Sequence, residues 1–67
     1  MQLNEFTNEY SSHIDTTKRF DNGIIRFKFT RMDKVMWLKR MVYEKLGLIV
    51  FTRSHTKPVV YFKPKEN

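Results

Sequence analysis

The sequence predicts an α+β fold: a small single layer of antiparallel β-hairpins in the order ββαββ, with a short N-terminal helix, packed on one main helix. Three observations carry that expectation. Asp21-Asn22-Gly23 separates two runs rich in β-branched and aromatic residues, the loop Ser54–Pro58 separates two more, and between the pairs lies a stretch of helical periodicity that stops at Gly47. The 67 residues suit one domain, 1–67, because a chain this short buries only about 60% of its unfolded surface and has no apolar residues left for a second core.

Within the N-terminal segment, 1–12, Leu3, Phe6 and Tyr10 have spacings that a helix brings to one side. A few turns alone are marginal in water, so this helix must dock to persist. Hairpin one, 13–30, pairs His13–Phe20 with Ile24–Thr30. Its turn is either a two-residue type I′ turn at Asn22-Gly23 or a three-residue loop built on a type I turn with Gly23 in the left-handed bulge position. In both cases Ile25, Phe27 and Phe29 share one face and Arg26, Lys28 and Thr30 the other, which makes the strand apolar inside and basic outside.

The main helix spans 31–46. Thr30 and Asp33 have the spacing of a capping box, with Asp in place of the usual Glu or Gln, and Gly47 suits a left-handed C-terminal cap. At ~100° per residue, Met32, Val35, Met36, Leu38, Val42, Tyr43 and Leu46 form a broad apolar stripe for the sheet, within which Lys39 has to snorkel outward. Hairpin two, 48–63, pairs Leu48–Arg53 with Val59–Lys63. Both of its faces carry large apolar groups, so one covers the helix and the other calls for a partner; a homodimer is the simplest solution.

Several function classes are excluded by what the residues lack. There is no cysteine, which removes disulfides, thiolate metal sites and cysteine nucleophiles together and points to a reducing, cytoplasmic setting. No apolar run approaches the roughly 20 residues of a membrane span, and the polar start MQLNEFTNEYSS has no signal-peptide pattern. His13 and His55 are the only histidines, no HExxH or acidic-loop pattern accompanies them, and no glycine loop cradles phosphate. No metal, no cofactor and no enzymatic activity are expected.

Charge is the positive signal. Thirteen Lys and Arg against seven Asp and Glu give +6. Residues 1–17 hold Glu5, Glu9 and Asp15 and no base, whereas residues 18–65 hold all thirteen bases against Asp21, Asp33 and Glu44, a difference of +10. Such segregation is the footprint of a surface that meets a polyanion. Lys18 or Arg19 with Arg26, Lys28 and Arg31 would form a phosphate track along hairpin one, and Arg53, His55 and Lys57 would form a wing-like tip on hairpin two. Trp37 and Met41 project roughly opposite the main helical stripe, beside Lys34, Arg40, Glu44 and Lys45. They either complete a dimer interface, pack under the N-terminal segment, or offer a stacking platform to a base.

The run Lys45–Lys63, a helix end at Gly47, a strand, Arg53-Ser54-His55 and another strand, resembles the middle of the HicA-type mRNA interferase toxins. That family has a double-stranded-RNA-binding-like fold, and the resemblance implies His55 as general acid or base for attack by a 2′-hydroxyl. The sequence departs from the family where Arg53 stands in place of the usual glycine and where it stops before a third strand and final helix. The RNP aromatic motif and the KH-type GXXG loop are absent.

The expectation is therefore a small basic protein that binds nucleic acid, RNA in preference to DNA, through largely sequence-independent phosphate contacts plus aromatic stacking. Coating or sequestering RNA in a regulatory, host-takeover or anti-defence role follows from that. An alternative is an inhibitor or adaptor gripping an acidic host protein, similar in size and composition to the small anti-defence proteins of tailed phages. A small HicA-like ribonuclease toxin is a second alternative.

Overall fold

Hairpin one closes on the three-residue loop. Gly23 has φ 88°, no non-glycine residue among those described has positive φ, and a type I′ turn would require one at Asn22. Gly23 N donates to Phe20 O at 3.1 Å, Phe20 N donates to Ile24 O at 2.8 Å, and Asn22 Oδ1 accepts from Ile24 N at 3.1 Å. The computed structural model describes residues 1–65. Its elements are helix α1 (Leu3–Glu9), strands β1 (Ile14–Arg19) and β2 (Ile25–Phe29), a 3-10 turn (Met32–Lys34), helix α2 (Val35–Leu46), and strands β3 (Leu48–Arg53) and β4 (Val59–Pro64).

The four strands form one antiparallel sheet in the order β1-β2-β4-β3, so the two hairpins join through their second strands. Alternation then sorts the side chains. Phe27, Phe29, Val60, Phe62 and Leu48 point to one face, where Phe6 and Tyr10 from the N-terminal segment meet Val35, Leu38 and Val42 of α2 in the core. Phe6, Phe27, Phe29 and Phe62 are fully buried. Each contributes about 1.5–3 kcal/mol by leaving water, more than any exposed ion pair of this chain at about 0–1 kcal/mol. Both helices lie on this side, and the opposite face of the sheet has no helix over it. β1 and β3 are edges, and each carries a bulge, near Asp15 and Phe51 respectively. Such bulges interrupt the regular ladder and discourage strand addition.

Three details of the main helix differ from expectation. The capping box does not form: Asp33 accepts two bonds from Arg31, at 3.0 and 2.8 Å, and Thr30 Oγ1 donates to Ser12 O at 3.2 Å. The shorter Asp side chain pairs with its neighbouring guanidinium instead of reaching back to the backbone, and residues 32–34 make a 3-10 turn, so the α-helix begins at Val35 and not at 31. The stripe is also narrower and rotated. Val35, Leu38 and Val42 are buried with Met41 and Leu46 packed partly against them, while Met36 is 74% exposed and Tyr43 faces outward. Helix α1 contacts α2, and Met41 packs partly against the shared core. Gly47 caps α2 as expected, with φ 68° and its N–H donating to Tyr43 O at 3.0 Å. Strand β4 runs one residue past the expected end at Lys63. Among the described residues, no helix is long and apolar enough to cross a membrane.

Candidate nucleic-acid interface

The helix-free face of the sheet is laid out by strand register. Lys18 sits opposite Arg26, Arg26 opposite Tyr61, and Tyr61 opposite Thr52, a row that crosses all four strands. Thr16, Lys28 and Val59 form the next row toward the loop Ser54–Pro58. Lys57 closes that end, where it lines a shallow depression with Thr16, Arg26, Lys28, Val59 and Tyr61. Toward the other end, Ile49 pairs with Lys63.

Aromatic rings stand among these cations. The Phe20 and Tyr61 centroids are 6.2 Å apart with their planes tilted by 33°, so neither ring covers the face of the other. Lys18 Nζ lies 5.1 Å from the centroid of Phe20, and Lys63 Nζ lies 5.9 Å from that of Phe51, which the β3 bulge leaves 58% exposed. Among the described residues, Lys18, Arg26, Lys28, Lys57 and Lys63 share that face with one ion-paired carboxylate, Asp15, whose contact with Lys28 is 3.7 Å.

Cations elsewhere divide: Arg31, Arg40, Lys45 and Lys65 have partners, whereas no ion pair among the described residues involves Arg19, Lys34, Lys39 or Arg53. On the helical side Arg31 pairs with Asp33, Arg40 with Glu44 at 3.6 Å, and Lys45 with Glu9 at 3.9 Å. Lys65 Nζ donates to Tyr43 Oη at 2.9 Å, and that hydrogen bond, with the attraction of the same hydroxyl, holds its pKa above the ordinary lysine value. The structure thus gathers Lys18, Arg26, Lys28 and Lys57 from the expected set and leaves the others apart. Arg19 takes the opposite register, beside Ile25, and lines a groove under α1 with Gln2, Asn4 and Thr7. Lys34 precedes α2 and is half-buried. Arg53 takes the register of buried Val60, away from the open face.

Trp37 is 42% exposed, and its remaining surface packs within the fold. Its ring meets Tyr10 at 5.7 Å and His13 at 5.4 Å, both edge-on, so it pins the N-terminal segment to α2. Met41 packs partly against the core on the same side. Trp37→Ala should therefore lower stability by on the order of 1 kcal/mol or more while changing nucleic-acid affinity less than about twofold, as urea unfolding and a binding titration read separately. His55 is exposed at the tip of hairpin two. Ser54, next to it, builds the loop: its Oγ accepts from Thr56 N at 3.3 Å and Lys57 N at 3.1 Å. Among the described residues, no hydrogen bond orients the imidazole of His55, and His13 is turned toward Trp37. Nor does any group of three or more His, Cys, Asp or Glu among the described residues gather as a metal site.

Tyr61, Lys63, Phe20 and Phe51 belong to this face without having been expected there. Tyr61 and Lys63 alternate with Val60 and Phe62 in the sequence, which is enough to place them together on one face. Which of the two faces meets solvent depends on the pairing of β2 with β4, a long-range choice that alternation does not encode.

Comparison with protein-family models, curated proteins and solved structures finds no match for this chain.

Proposed function

We propose that this protein binds nucleic acid through the open face of its sheet, RNA in preference to duplex DNA, and coats or sequesters it in a regulatory or host-takeover role. One observation carries the reading: among the described residues five cations share that face with one ion-paired carboxylate, while carboxylates pair with Arg31, Arg40 and Lys45 on the helical side. Cations spaced along paired strands displace the counterions of a polyanion and make affinity depend on salt in proportion to the phosphates neutralised. RNA is favoured because α2 has little to offer as a recognition helix. Val35, Leu38 and Val42 face the core, and its outward side is mixed, with Met36, Trp37 and Tyr43 beside an Arg40 that lies near Glu44, and not a row of polar side chains for base edges.

A salt series with labelled RNA tests this. If all five cations meet phosphates, the slope of log K against log salt approaches about −3.5 for a single strand. No binding at about 50 mM salt, or a flat dependence, overturns the reading.

A second reading draws on the exposed Phe51 beside the same cations: an inhibitor or adaptor that grips an acidic protein. The expected homodimer would bury that same apolar edge, and sedimentation of the free protein reports it.

A further inference from the structure

We infer that the open face is built for an unpaired strand, with bases seated on Phe20, Tyr61 and Phe51 and the sugar-phosphate backbone running over Lys18, Arg26, Lys28 and Lys57. The inference rests on the nucleic-acid reading above and names the form of ligand. It follows from how the face is divided. Arg26, Lys28, Lys57 and Thr16 gather toward the loop Ser54–Pro58 and leave that end cationic and hydroxylic. Tyr61 stands at the boundary, in one row with Lys18, Arg26 and Thr52, and beyond it Phe20, Ile49 and Phe51 make the other end more apolar, with Lys63 among them.

A duplex keeps its bases inside and would lay phosphates over the whole face, setting charged oxygens against the apolar end without hydrogen-bond partners, an unfavourable exchange for hydration. An unpaired strand presents both chemistries side by side. Its bases take the rings and its phosphates take the cations. The rings are disposed for that use: Phe20 and Tyr61 are tilted and not stacked on one another, and Phe51 is largely exposed. Phe20 and Phe51 each have an ammonium within 6 Å of the ring, Lys18 at 5.1 Å and Lys63 at 5.9 Å. Each ammonium lies over its ring, so a base that takes that face displaces a lysine, which then lies within reach of the base's own phosphate. An acidic peptide offers charge but no comparable series of flat π-faces.

The experiment titrates the full chain and its Tyr61→Leu and Phe51→Ser variants at low salt with four probes: a single-stranded RNA, an RNA duplex of the same length, heparin, and an acidic peptide containing leucines. Circular dichroism first establishes that each variant is folded. Phe51→Ser replaces an exposed side chain and keeps the test open should Tyr61→Leu disturb the sheet. The expected result is single-strand binding about tenfold or more tighter than duplex, and a loss of about fivefold or more on the single strand in each variant. Duplex and heparin affinities should change less than about twofold, because phosphate and sulfate contacts remain. Equal affinity for single strand and duplex, with equal small losses, overturns the inference and leaves the nucleic-acid reading standing. Tighter binding of the acidic peptide than of any nucleic acid, or no binding to RNA or heparin, overturns both.

Discussion

Phe27→Ala is expected to leave the chain largely unfolded at room temperature. Phe27 is fully buried at the centre of the sheet, paired with Thr17 on one side and Val60 on the other. Its ring meets Phe6 at 5.8 Å, and Phe29 and Phe62 at 5.6 Å each, so one side chain joins α1, β2 and β4. Truncating a buried Phe costs about 3–5 kcal/mol in transfer and cavity terms. At about 0.05–0.15 kcal/mol per residue, the stability of a chain of this length is about 3–10 kcal/mol, and a small core with no disulfide belongs in the lower half of that range. The loss is thus comparable to the total. Thermal unfolding followed by circular dichroism should show no cooperative transition, or one displaced downward by tens of degrees. Met36→Ala, at an exposed position of α2, should stay within about 0.5 kcal/mol of the parent. A Phe27→Ala protein that melts near the parent temperature would mean that the core does not converge on this ring.

The double reversal Arg26→Glu/Lys28→Glu should weaken RNA binding more than about tenfold at about 0.1 M salt, and should reduce the salt slope by about 1.4 on a single strand. Both side chains stand on the open face, in adjacent rows of the same strand, and reversal converts two phosphate contacts into repulsion. Folding should barely change. The one ion pair lost, Lys28 to Asp15 at 3.7 Å, has both partners about half exposed and contributes about 0–1 kcal/mol. Arg40→Glu/Lys45→Glu alters net charge equally on the helical side, where these residues pair with Glu44 and Glu9. This control separates location from total charge. If the two doubles weaken binding alike, the attraction is diffuse and the sheet face is not the interface.

What could be read in the sequence was what one local interaction determines. Gly23 and Gly47 mark the two places where the backbone takes positive φ, and both fall at the turn and cap expected of them. The alternation Ile25-Arg26-Phe27-Lys28-Phe29 fixes which side chains share a face and places Arg26 and Lys28 together, away from the core. The start of α2 was not legible, because Asp33 had two available partners, the backbone and Arg31, and spacing alone does not rank them. For Trp37 the sequence left three uses open, and the structure shows the ring against the N-terminal segment, one of them. A helical wheel shows a ring off the main stripe but not the segment that will dock on it, and Tyr10 and His13 come from over twenty residues away. Tyr61 and Lys63 were hidden by the sheet order, since only the pairing of β2 with β4 sets Tyr61 beside Arg26 and turns two separate hairpins into one continuous surface.

Chemical-shift mapping on isotope-labelled protein, with a short single-stranded RNA added at low salt, tests the interface most directly. The amide perturbations should concentrate on Lys18, Phe20, Arg26, Lys28, Lys57, Tyr61 and Lys63 and fade as salt is raised, leaving the signals of Trp37, Arg40 and Glu44 in place. Perturbations centred on α2, or a spectrum that RNA leaves unchanged, would contradict the assignment of the open sheet face as the binding surface.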